Sequence, residues 1–265
     1  MKIRANQFVK ENYPVPERYN TVIKANALIQ KSRFSLSTQQ QKILLYIISQ
    51  IEPTDDELKN YIFETTEYCR VCGIETQSDI YQIIRDQIKD IADKSVWVEL
   101  EDGRETLVRW IEKPYIDQNS GKIEIRFDRD MKPYLFQLKE RYTQYELIYT
   151  LNFKSKYSIR LYEYLKSIHF NKRKPYTQTF EIDKFQTLLD SPYNNFKDFH
   201  TRVLKPAQKE INEHSDIIFS YELKSKGRKI TEIDITIERK NSVDLLNTGA
   251  KNAQLLDKKK GSQNG

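Results

Sequence analysis

The stretch from Asn194 to Glu238 constrains the fold of this chain most strongly. It joins a predicted amphipathic helix, Phe196 to Glu213, to a strand–turn–strand, Ile217 to Ile237. The hairpin tip, residues 224–229, reads Lys-Ser-Lys-Gly-Arg-Lys, with four cations and no anion. This order is typical of a winged helix, in which the helix enters the major groove and the wing meets the backbone. The helix is expected to bury one stripe of apolar residues: Phe199, Val203, Ala207 and Ile211.

The same order of elements precedes this stretch, so the pattern occurs twice. In both halves a helix is followed by a short strand, two further helices and a hairpin. The sequence therefore predicts an α+β fold with two tandem winged-helix domains. The predicted elements are a helix 37–51, a strand 61–64, helices 65–73 and 78–93 and a hairpin 95–112, then a helix 157–168, a strand 180–182 and a helix 184–189 before the opening stretch.

Four segments follow from this pattern. Residues 1–20 are polar and contain two prolines, which predicts a flexible arm. Residues 21–140 are predicted to form the first winged-helix domain, for DNA contact and dimerisation. Residues 141–240 are predicted to form the second, which is the main DNA reader. Residues 241–265 lack sustained periodicity and are predicted to be a disordered basic tail.

The charges are divided unequally between the halves. Residues 1–130 hold 19 Lys+Arg and 22 Asp+Glu, a net of −3. Residues 131–265 hold 25 Lys+Arg and 16 Asp+Glu, a net of +9. This asymmetry favours a polyanionic partner for the second half over a merely solvated surface.

Residues that would support chemistry are sparse. Cys69 and Cys72 form one Cys-x-x-Cys without a second pair, so buried thiols are favoured over a zinc or redox site. No two histidines lie within three residues and no phosphate-binding loop occurs, so neither an origin-nicking nor a nucleotide-hydrolysing site is indicated. We therefore expect a non-enzyme without metal or cofactor. No apolar run approaches the ~18–20 residues of a membrane span, so a cytoplasmic location is the default.

The candidate DNA-binding residues of the second domain lie on its long helix, its wing and its first helix. Arginine reads guanine best and Gln or Asn reads adenine, whereas wing cations add affinity but little sequence choice. Pro206 interrupts the helix and alters the direction of the residues before it. We therefore rank Arg202 and Lys205 above Lys209 as candidates for the major groove. The helix candidates are Arg202, Lys205, Gln208, Lys209 and Asn212, the wing candidates are Lys224, Lys226, Arg228 and Lys229, and the phosphate anchors are Lys154, Lys156 and Arg160 with the cluster Lys172-Arg173-Lys174.

The first domain is the weaker candidate reader. Its wing places Arg104 among Glu101, Asp102 and Glu105, and such anions oppose close approach to phosphate. We expect it to touch DNA through Arg85, Lys89 and Arg104, with Lys31 and Arg33 nearby. Trp97 and Trp110 are expected to pack in the core, with a dimer seam as the alternative.

Two segments carry a resemblance to a known family. They are residues 26–44, with Asn-Ala-Leu-Ile and then Phe-Ser-Leu-Ser-Thr-Gln-Gln-Gln-Lys-Ile-Leu, and residues 202–212, Arg-Val-Leu-Lys-Pro-Ala-Gln-Lys-Glu-Ile-Asn. In this order they resemble the initiator replication proteins of theta-replicating, iteron-bearing plasmids, over roughly residues 20–240.

The resemblance implies a protein that binds direct repeats of double-stranded DNA at a plasmid origin. It implies recruitment of a host replication initiator and helicase. It also implies a homodimer in equilibrium with the monomer, whose dimer can repress its own promoter. The alternatives are a tandem winged-helix transcriptional regulator without an initiation role, an origin-nicking enzyme, and a protein-only adaptor.

Overall fold

The computed structural model describes residues 15–52, 55, 59–77, 79–117, 120–169 and 174–258. The described helices are α1 (Asn26–Gln30), α2 (Thr38–Ile48), α3 (Thr65–Cys72), α4 (Ile80–Ala92), α5 (Lys132–Leu135), α6 (Ile148–Leu151), α7 (Lys156–Ile168), α8 (Ile182–Leu188), α9 (Phe196–Phe199), α10 (Lys205–His214) and α11 (Ser242–Lys258). A π-helical turn, His200–Leu204, joins α9 to α10, and 3-10 turns cover Pro16–Tyr19 and Arg129–Met131. The strands are β1 (Thr21–Ala25), β2 (Ser32–Arg33), β3 (Tyr61–Glu64), β4 (Ser95–Glu99), β5 (Glu105–Arg109), β6 (Ile111–Ile116), β7 (Lys122–Phe127), β8 (Tyr142–Glu146), β9 (Tyr176–Glu181), β10 (Ile217–Lys226) and β11 (Lys229–Arg239).

The second half has the predicted winged-helix topology. Its sheet has the order β10-β11-β9, and both pairings are antiparallel. Helix α7 precedes the sheet, α8 follows β9, and the long helix built from α9, the π turn and α10 leads into the hairpin. The α+β prediction with a winged helix here is confirmed.

The first half has the same element order but different strand partners. Its wing, β4–β5, pairs with β2 rather than with the strand between the helices. That strand, β3, pairs with β7 of an additional hairpin, β6–β7. Sequence reasoning missed β6, because its alternation is interrupted by Pro114 and Lys113. The first winged helix is thus present as an elaborated copy.

Helix α2 begins within residues 26–44, the first segment that carries the family resemblance. Ser37 caps it: the Ser37 hydroxyl accepts from the Gln40 amide at 3.2 Å, and the Gln40 side chain accepts from the Ser37 amide at 3.0 Å. The next two side chains reach the second half, since Gln41 donates to the Lys156 carbonyl at 3.4 Å and Lys42 to the Leu151 carbonyl at 2.7 Å. The motif therefore starts a helix and joins the two halves.

Helix α7 is buried between the two domains. Arg160, predicted as a phosphate anchor, is only 6% exposed and donates to the carbonyls of Ser32 and Leu188, with its guanidinium 4.4 Å from the Phe34 ring centre. Burial lowers the pKa of Arg160 to about 10. The prediction for Arg160 is wrong, because the side chain is enclosed between domains and cannot meet DNA.

A buried ion pair lies one turn further along α7. Glu163 is 2.6 Å from the Lys24 ammonium of β1 and accepts from the Tyr145 hydroxyl of β8. Strands β1 and β8 pair with each other. The predicted boundary at residue 140 is therefore misplaced, because β8 completes a sheet with a strand of the first domain.

Both predicted flexible ends contain ordered structure. Val15, Arg18 and Tyr19 are buried, so the prediction of a flexible arm is wrong for residues 15–20, and residues 1–14 lie outside the described residues. The predicted tail forms α11 up to Lys258, with Leu256 fully buried, so that prediction is wrong for residues 242–258. Residues 259–265 lie outside the described part.

The tryptophans have different environments. Trp110 is buried and packs edge-on against Phe34, with ring centres 5.2 Å apart, as predicted. Trp97 is 46% exposed opposite Leu107 on the wing, so its predicted core position is wrong. In a two-stranded wing, alternate side chains face away from the core.

We predict that Glu163→Gln lowers the free energy of unfolding by ~3 kcal/mol, because it leaves the Lys24 ammonium buried without a counter-charge. Chemical denaturation measures the change. The control is Glu140→Gln, at an exposed carboxylate, which should change stability little. Equal effects of the two substitutions would contradict a stabilising role of the interdomain ion pair.

Candidate nucleic-acid interface

The long helix of the second domain contains a π turn directly before its proline. Pro206 stands in the first turn of α10, and His200–Leu204 is π-helical. A proline removes a hydrogen bond and clashes with the carbonyl four residues earlier, and the wider π turn accommodates both defects. The extra residue also turns Val203 and Leu204 into the core together. At the corresponding offset of 120 in α4, Ile84 is buried but Ile83 is 46% exposed.

The exposed face of this helix is basic. Arg202, Lys205 and Lys209 are all exposed, as their assignment to the groove requires. Arg202 is 3.8 Å from Asp198 and lies over the Tyr193 ring at 5.8 Å. Within the described residues the structure shows no ion pair for Lys205 or Lys209.

Two predicted base readers instead brace the wing. Asn212 donates to the Phe219 carbonyl at 2.9 Å and accepts from the Phe219 amide at 2.8 Å, and Gln208 donates to the same carbonyl at 3.1 Å. Both side-chain amides bind the backbone of β10, Asn212 through an N–H and its oxygen and Gln208 through one N–H. The prediction that Gln208 and Asn212 read bases is therefore corrected: they fix the wing relative to the helix.

A second link between helix and wing went unpredicted. The His200 imidazole is 2.9 Å from the Tyr221 hydroxyl and stacks on Phe196, with ring centres 5.4 Å apart. Burial and the nearby Lys205 lower the pKa of His200. Helix and hairpin thus form one rigid unit.

Lys197 and Thr201 were also missed. Both are exposed, and with Lys205 and Lys209 they recur every four residues along the helix. This spacing in the sequence was the available signal, because residues four apart share a helical face.

The wing ends in a two-residue turn, Gly227-Arg228. Gly227 has a φ of 64°, which is suited to the first position of such a turn. Lys226 and Arg228 are exposed, and among the described residues no ion pair is seen for either. Lys224 lies 2.7 Å from Asp234, and its hydrogen bond to this carboxylate raises the pKa of Lys224. Lys229 lies 4.0 Å from Asp183. The two cations at the tip are therefore the most available for phosphate.

The remaining basic candidates of this domain lie at or near α7. Lys154 is exposed, and its backbone amide donates to Glu210 at 3.1 Å. Lys156 is half-buried, 3.6 Å from Asp190. Lys174 is exposed, whereas Lys172 and Arg173 lie outside the described residues.

The cations of the first domain are largely neutralised. Arg104 lies 2.7 Å from Asp102 and also binds it through its Nε, which lowers the pKa of Asp102. Lys89 is 3.4 Å from Asp86, and Arg33 pairs with Glu105 across the wing. Arg85 is half-buried on α4, and Lys31 is exposed.

No metal or thiol site is formed by the part of the chain that the structure describes. It contains no group of three or more His, Cys, Asp or Glu side chains arranged to hold a metal ion. Cys69 and Cys72 are buried, as predicted, and neither of these described cysteines forms a disulfide; burial raises the pKa of Cys72 to about 11. Among the described helices none has the length and apolarity needed to cross a membrane.

Two winged helices in one chain, one with an exposed basic helix and wing, define a tandem winged-helix protein of the DNA-binding type. The chain belongs to the initiator replication protein family. The family model for its first winged-helix domain, "Initiator Replication protein, WH1", matches residues 21–166, and the model "Initiator Rep protein, WH2" matches residues 181–237.

The chain is also similar to individual proteins. The chain is 28% identical over 237 residues to a replication initiation protein of Escherichia coli, and the aligned region covers 85% of this chain and 72% of that protein. It is 23% identical over 237 residues to an uncharacterized 27.6 kDa protein of the same organism, covering 83% and 96%. Its fold is similar to that of the Pi initiator protein in a crystal structure with iteron DNA, with a TM-score of 0.71, 18% identity, and coverage of 85% and 99%.

We predict that Asn212→Ala lowers the free energy of unfolding by ~1–2 kcal/mol, because the Phe219 amide loses its side-chain acceptor and the Phe219 carbonyl keeps only Gln208 as a side-chain donor. The salt dependence of DNA binding should not change. Lys209→Ala, on the exposed face of the same helix, is the control and should leave stability nearly unaltered. An Asn212 variant of normal stability with an altered base preference would restore Asn212 as a base reader.

Proposed function

We propose that this protein initiates plasmid replication by binding direct repeats of double-stranded DNA at the origin. The second winged helix is the main reader, with Arg202 and Lys205 in the major groove and Lys209 beside them. Lys224, Lys226, Arg228 and Lys229 meet phosphate along the wing, and Lys154 and Lys156 anchor the backbone nearby. The protein acts by binding and not by catalysis.

The difference in available charge between the two wings carries this proposal. At the second wing, Lys226 and Arg228 are exposed and no carboxylate pairs with them among the described residues. At the first wing, Arg104 is bound by Asp102. A cation already paired with a carboxylate releases fewer counterions on meeting phosphate than one that is solvated. The second domain therefore supplies most of the electrostatic affinity, and Arg85, Lys89 and Arg104 supply less.

The first domain adds self-association in this proposal. Trp97 and Leu107 are 46% and 50% exposed and face each other across the wing, of which β5 is an edge strand of its described sheet. An apolar pair beside an open strand edge is suited to pairing with a second copy. We assign the dimer of a monomer–dimer equilibrium to this seam, and sedimentation over a concentration series tests it.

Host proteins complete the proposed role. The protein bound at its repeats recruits a host replication initiator and helicase in the cytoplasm. Membership of the initiator family supports this role over that of a transcriptional regulator without initiation. No described surface is assigned to either host protein.

Footprinting on DNA flanking the gene tests the function. Protection of tandem direct repeats is the expected result. Protection of a single inverted repeat at a promoter, with no repeat array, would instead support a regulator.

We predict that replacing Lys226 and Arg228 together by Ala reduces the slope of log affinity against log salt by ~1–2 units, because two phosphate contacts are lost. Titrations at several salt concentrations measure the slope. Arg104→Ala is the matched control at the other wing and should change the slope little. If the double substitution leaves the slope unaltered, the second wing does not contact the backbone.

A further inference from the structure

The carboxyl-terminal helix α11 lies against both winged-helix domains. It is 17 residues long and follows β11, the second strand of the wing, which ends at Arg239. Its inner face buries Thr248, Gly249, Asn252, Ala253 and Leu256. The two family models match residues 21–166 and 181–237. Helix α11 lies outside these ranges, and so does the 3-10 turn Pro16–Tyr19, which carries Arg18.

One part of α11 holds the end of the DNA-reading helix. Asn252 is fully buried and donates to the carbonyls of His214 at 2.7 Å and Ile148 at 3.4 Å. Its side-chain oxygen is 2.8 Å from His214 Nδ1, and Asn152 donates to its backbone carbonyl at 3.1 Å. His214 is the last residue of α10, so Asn252 satisfies the carboxyl end of that helix.

The last turn of α11 holds the first domain through Arg18. This arginine is 1% exposed and donates to the Val71 carbonyl at 2.8 Å and the Arg70 carbonyl at 3.2 Å, at the end of α3. It also lies 2.9 Å from the Asp257 carboxylate. A buried guanidinium with this many partners is fixed in place, because an unpaired charge there would be strongly unfavourable.

Gly73 lets the helix approach the first domain closely. It ends α3 with a φ of 65°. A Cβ at this position would overlap the Leu256 carbonyl oxygen and lie 2.8 Å from its carbon. The backbones of α3 and α11 are therefore in direct contact, which no side chain larger than hydrogen permits.

We infer that α11 is a clasp that sets the spacing between the DNA segments read by the two winged helices, with Gly73, Arg18 and Asn252 as positioning residues. This inference rests on the proposed DNA-binding function. One rigid helix ties the end of the reading helix in the second domain to α3 in the first. Release of the clasp removes one connection between the domains and leaves those made by α7 and by Gln41 and Lys42 of α2. The domains then tolerate altered spacing in DNA.

Gly73→Ala tests the inference in the full-length chain, with Gly103→Ala as the matched control. Both glycines have a positive φ, but nothing lies within 4 Å of a Cβ at Gly103. Hydrogen exchange measures protection of α11. Titrations compare the footprinted repeat with the same repeat carrying one inserted base pair between its two protected segments. For Gly73→Ala we expect loss of α11 protection and a roughly tenfold fall in the affinity ratio of native to inserted repeat, with both unchanged in Gly103→Ala.

A second pair of variants tests the inference if Gly73→Ala does not fold. Asp257→Lys places a cation beside Arg18 at a carboxylate that is 45% exposed, and Gln254→Lys, on the exposed face of α11, is its control. Asp257→Lys should also lower the ratio of affinities for the native and the inserted repeat, and Gln254→Lys should not. Lost α11 protection with an unchanged ratio overturns the inference and leaves the proposed function standing. A wild-type protein that prefers no repeat overturns both.

Discussion

The arrangement of the two domains depends on α7, which is buried between them although it carries Arg160 and Glu163. Arg160 bridges the backbones of Ser32 and Leu188, and Glu163 pairs with Lys24. Buried charges are tolerated when each is paired and hydrogen-bonded, and removal of one partner leaves the other strongly unfavourable. These contacts therefore specify one arrangement of the two domains. Together with α11 they present two winged helices as a single body.

Within that body the two domains are unequal in how their charges are used. At the tip of the first wing Arg104 is paired with Asp102, whereas the tip of the second wing keeps Lys226 and Arg228 exposed. The reading helix and its wing are also locked together, through His200 with Tyr221 and Asn212 with Phe219. Such preorganisation favours binding, because less conformational freedom is lost when the complex forms. The first domain combines an elaborated sheet with an exposed apolar pair, which supports our proposal that it serves self-association more than DNA reading.

Local patterns predicted most of the helices and both wings. The stripe through Ile84, Ile88 and Ile91 indicated α4, and the glycine at each hairpin tip indicated the turns at Gly103 and Gly227. The partner of β3 could not be predicted, because pairing across some 60 residues leaves no local signature. Helix α11 was missed because Thr248 and Asn252 interrupt its apolar stripe, although both are buried. Gln208 and Asn212 show the limit for the site: an amide on a basic helix looks the same in sequence whether it reads a base or braces a strand.

The central claim is that the second winged helix reads sequence through the residues around its π turn. The most direct measurement compares wild type and Arg202→Ala on the footprinted repeat and on a set of its single base-pair variants. The account predicts that affinity for the native repeat falls by about 1–3 kcal/mol and that the preference relaxes at one base position. An unchanged preference at every position, with affinity either intact or uniformly weaker, would contradict it.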